Sequence, residues 1–446
     1  MNTRLKAAFY GDDVTGASDN AAQFFRHGLR TVLFIGTPSP TICALALQDH
    51  PDVLGIAGKA RALPTAEMEA EILPALSLLQ GVGAPLLQYK CCSTLDSSPQ
   101  TGSLGEACRI LQRVRPGAFI SVLAAMPEFG RYTVFGQHFA RFGEEIFRLD
   151  RHPSMLHHPV TPSYEADVRR LFASQGAPIM RLINVQELDH WSPAMLVSSL
   201  AKTDAAVFDT LTETHLQRTA AVIWALAQQR QVVTVAAQGL AHGLGLYLRA
   251  AGLIKRPPPT NRLVAIDRLL VLSGSRSPRS AAQIDWAERV GFATIRVSDA
   301  VMRAGAAGID ALRDGIGYLR NGRSLVIHSA HGVEETGPPT TPYDAAGTLS
   351  AKLGALFAAF IRLAAQETGI RRIVLAGGDS ASFTMHALGS MAIEMQASHF
   401  PQNAHIGKMR SADPLLDGME ILLKGGQVGH DDLYGLIRDG FSETDV

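Results

Sequence analysis

Residues 7–19 read AAFYGDDVTGASD: an apolar run that stops at Asp12 and Asp13, a Thr-Gly pair, then a helix-like stretch carrying a third carboxylate. A strand of consecutive apolar residues is buried on both faces, which is the habit of a parallel sheet covered by helices. Two carboxylates at the carboxyl end of such a strand are costly unless they are paired, capped or bound to a ligand. In open α/β sheets that edge is also where ligands sit. Asp12 and Asp13 therefore suit binding of substrate hydroxyls, acceptance of a proton from one, or a metal ion. A simpler task is helix capping by Asp13 or Thr15, which leaves Asp12 unaccounted for.

The same alternation continues along the chain. Apolar runs at 31–35, 53–57, 85–89, 119–123 and 232–236 are separated by helix-like stretches such as 64–79 and 102–114. A second series has strands at 269–272, 294–297, 324–328 and 373–376, with helices at 278–290 and 351–367. This predicts an α/β fold with mainly parallel sheets. A chain of 446 residues exceeds one ordinary core, so two α/β domains are expected. Three successive prolines, Pro257, Pro258 and Pro259, forbid a helix and mark the joint. The expected boundaries are a first domain over 1–255, a linker over 256–262 and a second domain over 263–446.

Charge and composition narrow the partners. With 41 basic and 41 acidic residues, the chain lacks the basic surplus expected for nucleic acid or an anionic membrane. No apolar run is expected to reach the roughly 18 residues that span a bilayer. Residues 1–6 lead straight into the first strand, so no secretory leader is expected. The four cysteines have no metal-ligand spacing, and reduced cysteines in a cytoplasmic protein are the natural reading. A homo-oligomer is compatible with all of this.

Three loops of the second domain suit an anion. Ser273, Gly274, Ser275 and Ser277 follow a strand, and Pro278 suits the first turn of the next helix. Gly377, Gly378, Asp379 and Ser380 repeat the arrangement. Lys424, Gly425 and Gly426 add a cation on a flexible loop. Small residues let backbone amides approach phosphate, and a helix N-terminus adds positive partial charge. None of the three matches a Walker A or dinucleotide fingerprint, so a dehydrogenase is not indicated. A tight turn alone also accounts for any one of them.

The first domain offers matching polar groups. Lys90 ends a strand, and Ser93, Thr94 and Asp96 follow. Lys90 suits a substrate carboxylate, and the other three suit hydroxyls, although a capped Ser/Thr loop is the plainer alternative. Arg131 suits bidentate carboxylate recognition. His157 and His158, flanked by prolines, suggest a rigid extended segment whose histidines donate to substrate or cap the chain. Adjacent histidines in an extended chain point in opposite directions and no further ligand is evident, so zinc is not expected.

In order along the chain, the 11–19 segment, 90–97 (KCCSTLDS), Gly130-Arg131, 157–162 and the three glycine loops resemble the four-carbon acid sugar kinase family. The resemblance runs nearly end to end. It implies an N-terminal acid-sugar-binding domain, a C-terminal nucleotide-binding domain, ATP with Mg2+, and phosphorylation of a four-carbon or branched sugar acid on its terminal hydroxyl. It assigns Asp12 or Asp13 as base. It assigns Lys90, Ser93, Thr94, Asp96, Arg131, His157 and His158 to the acid, and the three loops to the nucleotide. No metal ligand is assigned. Arg276, the 378–382 stretch and the 424–427 loop depart from the usual pattern, which suggests a divergent branch and a branched acid such as 3-oxo-isoapionate. An inactive acid-sugar or nucleotide sensor of the same fold is the alternative.

Overall fold

A computed structural model describes residues 5–158, 160–257, 262–329, 343–399, 404–426 and 428–442. Of the residues discussed above, Pro159, residues 258–261 of the expected linker and Gln427 lie outside them. Two compact units emerge. The first is Met1–Asp12, Asp19–Val32 and Thr37–Pro258, and the second is Asp13–Ser18, Leu33–Gly36 and Pro259–Val446.

The first eleven strands are β1 (Ala7–Gly11), β2 (Thr31–Ile35), β3 (Val53–Ala57), β4 (Leu86–Lys90), β5 (Phe119–Leu123), β6 (Arg131–Val134), β7 (Gln137–Phe142), β8 (Glu145–Arg148), β9 (Arg181–Ile183), β10 (Ala205–Phe208) and β11 (Val232–Ala236); β2 is divided between the units and the others belong to the first. Strands pair in the order β3-β1-β4-β11-β5-β10-β9, with β2 beside β3. Every pairing from β3 to β9 is parallel. Phe9, Leu54, Leu87, Ile120 and Val233 are buried along it, as expected of strands covered on both faces. Ala7 pairs with Leu86 and Gly11 with Lys90, so β1 and β4 end level at the carboxyl edge. β6, β7 and β8 form a separate antiparallel sheet. Its strands are short and half-exposed, so they lack the apolar runs that reveal the main sheet.

The second unit contains β12 (Leu270–Ser273), β13 (Ala293–Arg296), β14 (Leu325–His328), β15 (Arg372–Ala376), β16 (Ser390–His399), β17 (Ala404–Ser411) and β18 (Glu420–Lys424), in the order β13-β14-β12-β15-β18-β17-β16. The five strands from β13 to β18 pair in parallel. β17 and β16 then continue antiparallel. Leu269, Val271, Ile284, Val326, Val374, Ile406, Leu422, Tyr434 and Ile437 share one core.

Two local expectations change. The helix expected over 351–367 runs Tyr343–Thr368, and its Leu349–Thr368 stretch is long and apolar enough to cross a bilayer by length and composition. Leu353, Leu356, Phe357, Phe360 and Ile361 are buried, so this stretch serves as a core helix of the second unit. Nor is the His157 segment extended: His152 caps the turn Pro153–Leu156 by accepting from Met155 N–H, and His157 closes it. Proline sits at the first helical position of that turn, where its missing N–H costs nothing.

Candidate functional site

Beyond the carboxyl end of β1, the two adjacent carboxylates part company. Asp13 precedes the helix Val14–Arg26. Its Oδ1 accepts from Gly16 N–H at 2.8 Å, and its Oδ2 from Thr15 Oγ1 at 2.6 Å. That is the capping geometry of a helix N-terminus. Asp12 is 1% exposed and accepts from Arg61 Nη2 at 2.6 Å through Oδ1. Its backbone is fixed on both sides: Asp12 N–H donates to Lys90 O at 3.0 Å, and Arg61 N–H donates to Asp12 O at 3.0 Å. Tyr10 and Tyr89 stack beside it with ring centroids 5.7 Å apart. Burial is the largest reason that both phenols and the Cys91 thiol hold their protons well above the ordinary range, and the Asp12 charge adds to it.

Lys90 is buried, and its Nζ donates to Cys91 O at 2.7 Å. Beyond it the 91–98 loop turns through Leu95, whose φ of 54° is rare for a side chain larger than glycine. Such an outlier costs on the order of 1 kcal/mol and is held by its surroundings. Here Leu95 is buried and its carbonyl accepts from Ser97 Oγ at 2.9 Å.

The turn presents Asp96 to Thr161, whose hydroxyl donates to Asp96 Oδ1. Thr161 N–H donates to His158 Nδ1 at 3.0 Å. Accepting this bond makes Nδ1 the acceptor nitrogen of the ring and leaves Nε2 as its donor. Asp96 and His158 thus form one group, with Nδ1 and Oδ1 3.9 Å apart. Ser93 enters through its backbone, its carbonyl 2.8 Å from His138 Nε2. Thr94 Oγ1 contacts Cys92 Sγ at 3.1 Å.

Two of the expected residues look different in place. Arg131 Nη1 donates to the carbonyls of Phe129 at 2.9 Å, Arg141 at 3.3 Å and Gly130 at 3.4 Å, so much of its fork serves the backbone. His157 is exposed. Arg61 and His138 were not anticipated. His138 is buried between Thr133 Oγ1, at 3.0 Å, and Ser93 O, and desolvation lowers its pKa to about 4.

In the second unit the three glycine loops converge, because β12, β15 and β18 are neighbours whose carboxyl ends lie level. Gly274 N–H donates to Ala376 O and Gly377 N–H to Lys424 O, both at 2.9 Å. The Ser277 hydroxyl donates to Gly426 O. Gly377 has φ 111°, and a Cβ there would lie 2.8 Å from Ser380 Oγ and 3.0 Å from Ser275 N. A Cβ on Gly274 would lie 2.3 Å from Ser380 Oγ. Glycine is required at both positions for the loops to approach each other.

Ser277 caps the helix Pro278–Arg289. Gly378 and Asp379 open the helix Gly378–Ala387, with Asp379 in its first turn. Lys424 is 0% exposed, donating to Ser280 Oγ at 3.1 Å and Gly425 O at 3.0 Å. Ser280 Oγ then donates to Ser275 Oγ at 2.9 Å. Desolvation, with Arg279 adding to it, pushes the Lys424 ammonium down to about 7. Among the described residues no carboxylate pairs with Lys424, and Ser273 Oγ is buried without a partner. A buried cation, an orphaned hydroxyl and a glycine cradle fit an anion such as phosphate. No group of three or more His, Cys, Asp or Glu able to hold a metal occurs among the described residues.

Comparison with known families agrees with this division. Residues 7–244 match the model of a sugar-binding N-terminal domain, and residues 270–434 match that of a nucleotide-binding C-terminal domain. The chain is 37% identical to a 3-oxo-isoapionate kinase of Paraburkholderia graminis, across 98% of this chain and 94% of the relative.

The chain belongs to the four-carbon acid sugar kinase family.

Other relatives in this family are 3-oxo-tetronate kinases, including one of Cupriavidus necator that is 28% identical across 95% of this chain and 94% of its own. Among solved structures, a protein of Salmonella typhimurium LT2 has the same fold, with a TM-score of 0.73 at 23% identity over 96% of this chain and 97% of that one.

Proposed function

We propose that this sugar-acid kinase transfers the γ-phosphoryl group of Mg-ATP to a branched 3-oxo acid of the 3-oxo-isoapionate type, on its terminal hydroxyl. The observation that carries the substrate is the identity gap. The 3-oxo-isoapionate kinase is 37% identical, whereas 3-oxo-tetronate kinases of comparable coverage are 26–28% identical. ATP would supply the phosphoryl group, and Asp379 would help to hold Mg2+, which would neutralise phosphate charge. Lys424 and the amides of the three loops hold the phosphates. Phosphoryl transfer proceeds through a loose transition state, so positioning and charge neutralisation contribute most of the rate.

In the first unit, the Nε2–H of His158 and the carboxylate of Asp96 give a donor and an acceptor side by side, which suits a hydroxyl next to a carbonyl or carboxylate. Lys90, Ser93, Thr94, Arg131 and His157 complete the acid-binding set. Asp12 orients the terminal hydroxyl and accepts its proton, while Asp13 holds the start of the following helix. The four cysteines are free thiols, which suits work in the cytoplasm.

The experiment is ADP release from the purified protein with Mg-ATP and a panel of 3-oxo-isoapionate, D- and L-3-oxo-tetronate, threonate and erythronate. The expected result is the highest kcat/KM with 3-oxo-isoapionate. A tetronate that exceeds it tenfold, worth about 1.4 kcal/mol in the transition state, overturns the substrate.

A further inference from the structure

We propose that Arg61 is a positioning residue of the phosphoryl transfer, holding the Asp12 carboxylate ionised and turned toward the substrate hydroxyl. The inference rests on the reading of Asp12 as the proton acceptor.

Arg61 lies in the turn Ala60–Ala62 that follows β3, the strand beside β1. Its backbone and side chain both grip Asp12. The N–H donates to Asp12 O at 3.0 Å, and Nη2 donates to Asp12 Oδ1 at 2.6 Å. The turn is pinned to the end of β1 as well, since Gly58 N–H donates to Gly11 O at 2.9 Å. A guanidinium anchored through its own main chain delivers its fork at a fixed angle and loses little side-chain freedom on pairing. The pair is mostly buried, with the Asp12 side chain 2% and that of Arg61 18% exposed. An ionised carboxylate this deep needs a compensating cation.

Tyrosine, cysteine, glutamate and lysine side chains near Asp12 have engagements of their own. Tyr10 on β1, Tyr89 on β4 and Cys91 just after β4 are buried acids that keep their protons. Glu71, on the helix Thr65–Gly81, accepts from Tyr10 Oη at 3.3 Å. Lys90, the last residue of β4, gives its ammonium to Cys91 O. The ion pair with Arg61 therefore favours the ionised form of Asp12 and fixes the direction of its Oδ1. A carboxylate held by a cation is a weak base, which suits a transfer in which the hydroxyl proton leaves late.

The test compares Arg61→Gln, Arg61→Lys and Asp12→Asn with the wild type in steady-state ADP release from pH 5 to 9, each checked for its melting temperature. For Arg61→Gln the expected result is a fall in kcat of about a hundredfold, with KM for ATP and for the acid within about threefold of wild type. The acid limb of its kcat profile moves up by about one pH unit, because the carboxylate has lost its neighbouring cation. Arg61→Lys restores charge without the fixed fork, so its acid limb lies near wild type while kcat recovers only in part.

A rise in KM for the acid at unchanged kcat and pH profile overturns the proposal and makes Arg61 a ligand of the substrate carboxylate. A lower kcat with an unmoved acid limb and a lowered melting temperature also overturns it, leaving Arg61 a structural residue. Full turnover in Asp12→Asn removes the proton-acceptor reading itself, an outcome separate from either result at Arg61.

Discussion

Lys424 carries a quantitative consequence for nucleotide binding. Its ammonium is fully buried, its two acceptors are neutral, and burial lowers its pKa to about 7 from an ordinary lysine value. A bound phosphate beside it restores the charged form. The fraction already protonated in the free protein falls from about nine-tenths at pH 6 to about one-tenth at pH 8, so nucleotide affinity drops roughly tenfold over that interval. The same burial acts on stability. The folded-state pKa is depressed, so the unfolded chain binds the proton more readily. Stability from this group is complete above the ordinary lysine pKa, is lost as pH falls toward 7, and is level below that. At pH 7 the deficit is about 4 kcal/mol. Lys424→Met removes both effects at similar side-chain volume. Calorimetric titration with ADP at pH 6, 7 and 8 is expected to show the tenfold decline for wild type and weak, pH-independent binding for the variant. Scanning calorimetry at pH 7 is expected to show the variant to be the more stable. A wild-type affinity that is flat across this range, together with a variant no more stable than wild type, refutes the reasoning.

Three further outcomes follow from the same geometry. Gly377→Ala puts a Cβ against Ser380 Oγ and Ser275 N at φ 111°, a conflict of about 1–3 kcal/mol; the expected result by titration is ATP binding at least tenfold weaker with KM for the acid unchanged. Arg372→Met leaves Glu420 and the carbonyls of Ile437 and Val264 without their buried donor, so calorimetry should show a loss of about 3–5 kcal/mol from the second unit. His27 and His138 have pKa values lowered to about 3 and about 4, chiefly by burial, so the unfolded chain binds protons first as pH falls below 6.5. Each costs about 1.4 kcal/mol per pH unit down to its folded value, opposed in part by Asp209, whose pKa burial raises to about 6. The expected result is a melting temperature that falls from pH 7 to pH 5, with a smaller fall in His138→Gln.

The parts of the fold that read clearly in the sequence are those whose signal is burial. β1, β3, β5, β11, β12 and β15 are largely apolar runs, and β4 stays buried around Gln88, because both faces are covered. The β6–β8 sheet was missed for the converse reason, and the β16–β17 pair because its register is irregular. Half-exposed antiparallel strands such as Gln137–Phe142 mix polar and apolar residues, and bulges interrupt the register of β16 against β17. The glycine loops were legible singly, but their convergence was not. It depends on the strand order β12-β15-β18, which joins residues near 274, 377 and 424. Ser280, which links Lys424 to Ser275, carries no local signal beyond its place in a helical first turn.

Residue type and position draw attention to different groups at this sheet edge. Arg131 was singled out for its bidentate fork, yet the backbone carbonyls around it take up Nη1. Arg61 sits in a sequence with no motif appeal, four residues beyond the end of β3, yet it grips Asp12. The rule that drew attention to Asp12 and Lys90, polar groups just past the carboxyl end of a buried strand, applies equally to the 58–61 stretch after β3. Applied to every strand rather than to recognisable motifs, it reaches Arg61 without the structure. The two carboxylates follow the same logic. Asp13 is the residue next to the helix, so its side chain reaches the free amides of the first turn and is spent there. Asp12, one residue nearer the strand, is held by its own backbone bonds to Lys90 and Arg61, and its side chain pairs with Arg61 at the sheet edge. Adjacent and chemically identical, the two are divided by one step along the chain, and that step makes Asp12 the residue on which loss of the carboxylate should fall as lost turnover rather than as a weakened helix.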